Sequence, residues 1–313
     1  MDERSRIAML ARTFAGAPGS GRAIEIGTGD DAAVLDGRGS AGGKIVWTID
    51  EQVEGTHFRR NLLTWHDVGW RSFMAAASDI AAMGAQPWCA LCALALPGDV
   101  DDRALEQMAL GQRAAASAVE APIVGGNLAR GGQLSVATTL LGTCERAVTR
   151  SGARPGDALW IAGSVGLAAA GLRALETGER DERLDVAVEA WRRPHARIAD
   201  GRAMGVVAHA AIDVSDGLAR DTGHIADASG VQIALDGVAL RANDALLGAA
   251  DVLGLNALEL ALYGGEDYAL VVASSVAIVG FRRIGEVRQG AGLVLREQGS
   301  ERPIEPRGFD HFG

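Results

Sequence analysis

Five sets of carboxylates stand among small and apolar residues: Asp30 and Asp31 in GTGDDAAVLD, Asp50 closing KIVWTID, Asp79 in MAAASDIAAMG, Asp213 and Asp216 in IDVSDG, and Glu266 and Asp267 in YGGEDYAL. Charged side chains normally stay in water, so each position calls for a compensating partner. Taken singly, most have an ordinary structural use: Asp30 suits a turn, and Ser215 or Asp216 can meet the positive end of a helix. Asp79 is harder to explain in this way. A mid-helix aspartate among alanines lowers helix propensity and, once buried, costs desolvation. If the sets converge, their repulsion demands cations between them. Oxygen donors without a His or Cys cluster suit magnesium better than zinc or copper. The anionic ligand expected on several such ions, in a chain with few local basic residues, is a nucleoside triphosphate.

Two familiar nucleotide motifs do not supply that site. GTGDDA looks like a shortened dinucleotide turn, but Asp30 and Asp31 would face the pyrophosphate with negative charge. GRGSAGGKI misses the P-loop spacing, since Arg38 stands where its first glycine belongs and Ile45 where its Ser or Thr belongs. Cys89 and Cys92, in the apolar run WCALCALAL, read as core residues of a strand rather than half of a zinc site. The net charge of −10 and the lack of a basic run argue against nucleic acid. No signal peptide or membrane-length apolar run is evident, so a cytoplasmic protein is expected.

With 313 residues, 48% hydrophobic and 22% charged, the chain can bury a large core and divide into two domains. Periodicity and turn residues predict a strand at 44–50, a helix at 66–85, a strand at 88–96, a helix at about 102–119 and strands at 121–126 and 133–143. TRSGARPGD, 149–157, breaks this alternation and sets the expected boundary between domains 1–148 and 149–313. Downstream come a strand and helix from 157, a polar helical region near 181–209 and a strand-turn-helix from 211. A strand at 231–237, two short helices and a strand at 268–274 follow. Both halves therefore read as α/β layers.

Read in order, GDDAAVL, TIDEQVEGTHF, SDIAAMGAQP, GGNLARG, TRSGARPGD, IDVSDGLARDTGHIADASG, GGEDYAL and GFDHF resemble the thiamine-monophosphate kinase family, from about residue 25 to the C-terminus. That family lies in the aminoimidazole ribonucleotide synthetase superfamily. The resemblance implies a two-domain fold, with an N-terminal sheet domain for ATP, metal and dimerisation and a C-terminal α/β domain completing the active site. It implies phosphorylation of thiamine monophosphate to thiamine diphosphate by ATP, without a P-loop, by in-line transfer with several magnesium ions, in a homodimer. Asp31, Thr48, Asp50, Asp79, Asp213 and Asp216 match the family's metal positions, as does Ile49 through its backbone. Gly126, Arg150 and Ser215 match ATP contacts. Asn127 stands where the family commonly has an aspartate that meets both metal and ATP, keeping an oxygen but losing a charge.

His57, Glu266 and Phe309 match the positions that hold thiamine phosphate, and an aromatic face with a carboxylate suits a cationic thiazolium. No residue is expected as a nucleophile, because the acceptor is itself an anionic phosphate and the reaction depends on positioning and charge neutralisation. The alternative is a catalytically weak paralogue that binds ATP or a thiamine phosphate as a regulatory module, a reading that rests on Asn127. Selenophosphate synthetase and the hydrogenase-maturation enzyme fit less well, as the chain lacks the N-terminal reactive Cys of one and the terminal Cys of the other.

Overall fold

The computed structural model describes residues 24–26, 30–37 and 43–310, so residues 27–29 of the glycine turn and the last residues of GFDHF lie outside it. The first sheet contains β1 (Ile24–Ile26), β2 (Ala33–Asp36), β3 (Lys44–Val53), β4 (Gln86–Leu96), β5 (Ile123–Arg130) and β6 (Ser135–Cys144), in the order β1-β2-β3-β6-β4-β5. Helices α1 (Trp65–Ala82) and α2 (Asp102–Ala118) cover one of its faces. α1 begins where a capping box permits: Thr64 accepts from the Asp67 N–H, and the Asp67 carboxylate accepts from the Thr64 N–H. It buries Phe73, Met74, Ala76, Ala77 and Ile80 against Val34, Val46 and Leu140. Close approach of the two helices requires glycine, since a Cβ on Gly69 would come within 1.9 Å of the Met108 carbonyl oxygen.

Strand alternation decides what β3 offers to each side. Val46, Thr48 and Gln52 are buried toward the helices, whereas Trp47 and Ile49 are exposed on the other face. Pairing carries that exposed face across the sheet, with Trp47 opposite Leu141, Ile49 opposite Thr139, and Thr139 opposite Leu91.

The second sheet contains β7 (Ala158–Ala162), β8 (Ala210–Asp213), β9 (Gln232–Asp236), β10 (Leu270–Ser274), β11 (Arg282–Arg288), β12 (Gly292–Glu297) and β13 (Ser300–Ile304). Their order is β13-β12-β9-β11-β7-β10-β8. Around it lie α3 (Leu167–Thr177), α4 (Asp185–Arg192), α5 (Ile198–Met204), α6 (Leu218–Ser229), α7 (Gly237–Leu240), α8 (Asp244–Leu253) and α9 (Ala257–Tyr263). β10 and the edge strand β8 are both buried along their whole length, in keeping with the small and apolar residues that make up most of each. α1 also joins the halves, because Ala81 and Ala82 pack with Val148, Ala162, Met204, Ala211 and Leu270.

The sequence reading begins its strands at 44 and so omits β1 and β2, and it differs from this fold further along as well. β5 continues through GGNLAR, three helical segments rather than two follow β9, and β11 to β13 have no predicted counterpart. Those last strands carry frequent charges and lack a long apolar run, so their pairing rather than their composition defines them. No single helix among the described residues is long and apolar enough to cross a membrane.

Candidate active site

Three of the suspect acids meet where α1 passes between the sheets. Carboxylate oxygens of Asp31, Asp79 and Asp213 lie within 4.8 Å of one another. Thr48 on β3 donates its hydroxyl to Asp79 Oδ2 at 2.5 Å, and Ser78 on α1 donates to Asp213 Oδ2 at 2.6 Å. Asp30 fixes the approach of the turn, since its carboxylate accepts the N–H of Asp31 at 3.0 Å and that of Arg150 at 3.2 Å. The Arg150 guanidinium reaches Asp31 Oδ1 through Nε at 3.0 Å and Nη2 at 2.5 Å.

Burial pushes the Asp31 carboxyl up to about 7, with Asp213 adding to the shift and Arg150 opposing it. Asp79 lies well above the ordinary carboxylate range, through burial and then through the charges of Asp213, Asp31 and Asp50. Asp213 is raised as well, mainly by burial. Asp31 Oδ2 is buried and lacks a hydrogen-bond partner among the described residues. Converging oxygens, one of them orphaned, with neither His nor Cys among them, fit a hard divalent cation.

Beside this cluster a cavity of about 600 Å³ is lined by Asp50, His57, Ser215, Asp216, Glu266 and Phe309, among others. The fold thus gathers the three residues matched to thiamine phosphate around one space, next to two of the matched metal positions. Backbone pairing holds its rim: the N–H of Glu266 donates to the Ser215 carbonyl at 2.7 Å, that of Tyr268 to Val214 at 2.8 Å, and that of Phe309 to Asp216 at 3.0 Å. Glu266 and Tyr268 adopt left-handed backbone conformations, with φ of 62° and 48°, a strained geometry in the loop that forms the wall. His57 Nδ1 accepts the Val53 N–H at 3.0 Å, which leaves Nε2 to carry the proton of the neutral ring. A second cavity, of about 710 Å³, lies near Arg60, Trp65 and Arg103 and contains none of these residues.

Gly126 and Asn127 are not brought into this group. They lie exposed on the edge strand β5, opposite Cys92 and Ala93, with β4 and β6 between them and β3. Three strand spacings separate β5 from the strand of Asp50, about 14 Å. Ile49 turns its side chain, 70% exposed, to the bare face, leaving only its backbone beside Thr48 and Asp50.

Several functional supports escaped the sequence reading. Arg71 on α1, only 2% exposed, donates to Glu266 Oε1 at 2.5 Å, while Trp191 Nε1 donates to Glu266 Oε2 at 2.7 Å. Arg71 also donates to the Trp191 carbonyl and lies 4.8 Å from the centroid of the indole ring. Glu266 is therefore charge-compensated by the protein. An arginine among the small and apolar residues of α1, two turns before Asp79, was the available signal. Asp221 on α6 accepts the N–H groups of Ser215, Asp216 and Gly217, each at 3.1 Å, and so shapes the loop after β8. Asp267 turns away from the cavity and caps α3, accepting from Gly166 at 2.6 Å and Ala168 at 3.0 Å.

The two AIR synthase related protein domain models match this chain, the N-terminal one over residues 29–144 and the C-terminal one over 154–296. Thiamine-monophosphate kinase of Aquifex aeolicus (strain VF5) is 32% identical over 290 residues, covering 91% of this chain and 92% of that protein. The enzyme of Mycobacterium tuberculosis (strain ATCC 25618 / H37Rv) is 39% identical over 281 residues, covering 87% and 82%. A solved structure of AaThiL complexed with AMPPCP and TMP matches with a TM-score of 0.89 at 30% identity, covering 99% of this chain and 97% of that one. The chain belongs to the thiamine-monophosphate kinase family.

Proposed function

We propose that the protein transfers the γ-phosphoryl group of ATP in line to the phosphate of thiamine monophosphate, giving thiamine diphosphate and ADP in the cytoplasm. The observation that carries this reading is the acid cluster adjoining the cavity of His57, Glu266 and Phe309. A relative of the same fold is described with both AMPPCP, an ATP analogue, and TMP, which supports ATP and thiamine monophosphate as the substrate pair. Asp31, Thr48, Asp50, Asp79, Asp213 and Asp216 and the Ile49 backbone would hold magnesium. Bound there, magnesium supplies charge neutralisation for the nucleotide phosphates. Arg150 and Ser215 contact ATP, while Gly126 and Asn127, at the far edge of the sheet on β5, stand apart from the site within the protomer. His57, Glu266 and Phe309 hold the acceptor, whose own phosphate oxygen is the nucleophile.

The same reading divides the chain at 148 and 149 into a part that binds nucleotide and dimerises and a part that completes the site, supported by the separate sheets on either side. It also makes the bare face of the first sheet the homodimer contact. Trp47, Ile49 and Leu91 are 49%, 70% and 46% exposed there, an apolar patch of the kind that partners cover. A single-turnover reaction with γ-labelled ATP tests direct transfer. Label should pass to thiamine diphosphate with none on the protein, whereas a labelled protein that discharges to thiamine monophosphate would contradict it.

A further inference from the structure

Gln52 follows Asp50 by two residues on β3, lies on the same face of the strand and lines the same cavity as His57, Glu266 and Phe309. It is 3% exposed. Its side-chain Nε2 donates to Asp50 Oδ1 at 3.1 Å. A carboxylate oxygen accepts and does not donate, so this contact fixes the rotation of the amide and turns Oε1 the other way. That oxygen is buried and has no hydrogen-bond partner among the described residues. Both Glu266 oxygens are already held by Arg71 and Trp191, and His57 Nδ1 by Val53. An unpaired buried acceptor is destabilising, and a ligand donor would relieve it. Thiamine monophosphate has one N–H donor group, the exocyclic amine of its pyrimidine ring.

We propose that Gln52 is a specificity residue whose side-chain oxygen accepts a hydrogen bond from the exocyclic amine of the substrate's aminopyrimidine. This rests on the reading of the cavity as the thiamine monophosphate site. Gln52 selects the acceptor and takes no part in the transfer. Oxythiamine monophosphate, which presents a carbonyl oxygen in place of the amine, would set two acceptors against each other.

The test compares Kd, KM and kcat for the two compounds in the wild type, Gln52→Met and Gln52→Leu, at several magnesium concentrations, with thermal melting to establish folding. The wild type should prefer the amine by at least about 30-fold, and either variant should reduce that preference to about 3-fold or less, with the loss in KM rather than kcat. Equal binding of both compounds by the wild type overturns the proposal without any variant. So does a preference that survives in a folded variant, or a variant that changes only the magnesium requirement, which would make Gln52 a support for Asp50. A wild type that binds neither compound overturns the substrate reading itself.

Discussion

Asp31, Asp79 and Asp213 share a small buried volume, and burial pushes the Asp31 carboxyl up to about 7 and raises Asp79 well above the ordinary carboxylate range. Such a cluster is poor for stability and good for cation binding. Asp79→Asn should therefore reduce turnover at least about 100-fold while leaving the metal-free melting temperature equal to or above that of wild type. Wild-type turnover in that variant would remove Asp79 from the metal site. Arg71 is the opposite case, a buried cation whose loss strands Glu266. Arg71→Met should cost roughly 3 kcal/mol in denaturant unfolding, and adding Glu266→Gln should recover part of it. Additive effects of the two substitutions would break the pairing argument. The acids were legible because charge among alanines and glycines stands out in a sequence. Arg71 was not singled out, since its partners Trp191 and Glu266 are more than a hundred residues away and only folding brings them close.

α1 is the element that makes one site from two sheets: Asp79 meets Thr48 of the first, Ser78 meets Asp213 of the second, and Arg71 reaches the GGED loop. Its position was readable from the apolar run, whereas the capping box of Thr64 and Asp67 emerged only with the fold. The cap on α3 was not readable either, because Asp267 comes from a loop remote in sequence. Burial raises Asp267 from 3.8 to about 7, so the fold favours its neutral form. Its contribution to stability is full below the unfolded value and is lost as pH rises toward about 7. Asp267→Asn should consequently gain stability relative to wild type between about pH 4 and pH 7, and the difference should level off above that. Denaturant midpoints across the pH range check this, and a pH-independent difference would contradict it.

At the scale of the molecule, the bare face of the first sheet leaves Trp47, Ile49 and Leu91 in water, which a lone protomer has no structural reason to keep. KIVWTID was readable as a strand, but only the register showed which residues share the uncovered face. Light scattering should give twice the 32.4 kDa chain mass for the wild type and a single chain mass for Leu91→Asp. A monomeric wild type would remove that face as a homodimer contact. The central claim is phosphoryl transfer between two phosphorylated ligands, and its most direct test is product formation from ATP and thiamine monophosphate with and without magnesium. The run should include thiamine, aminoimidazole precursors and selenide as competing acceptors. The prediction is thiamine diphosphate and ADP in equal amounts, only with magnesium and only from thiamine monophosphate. Binding of ATP or thiamine monophosphate without turnover, with magnesium present, would contradict it and describe a regulatory binding protein instead.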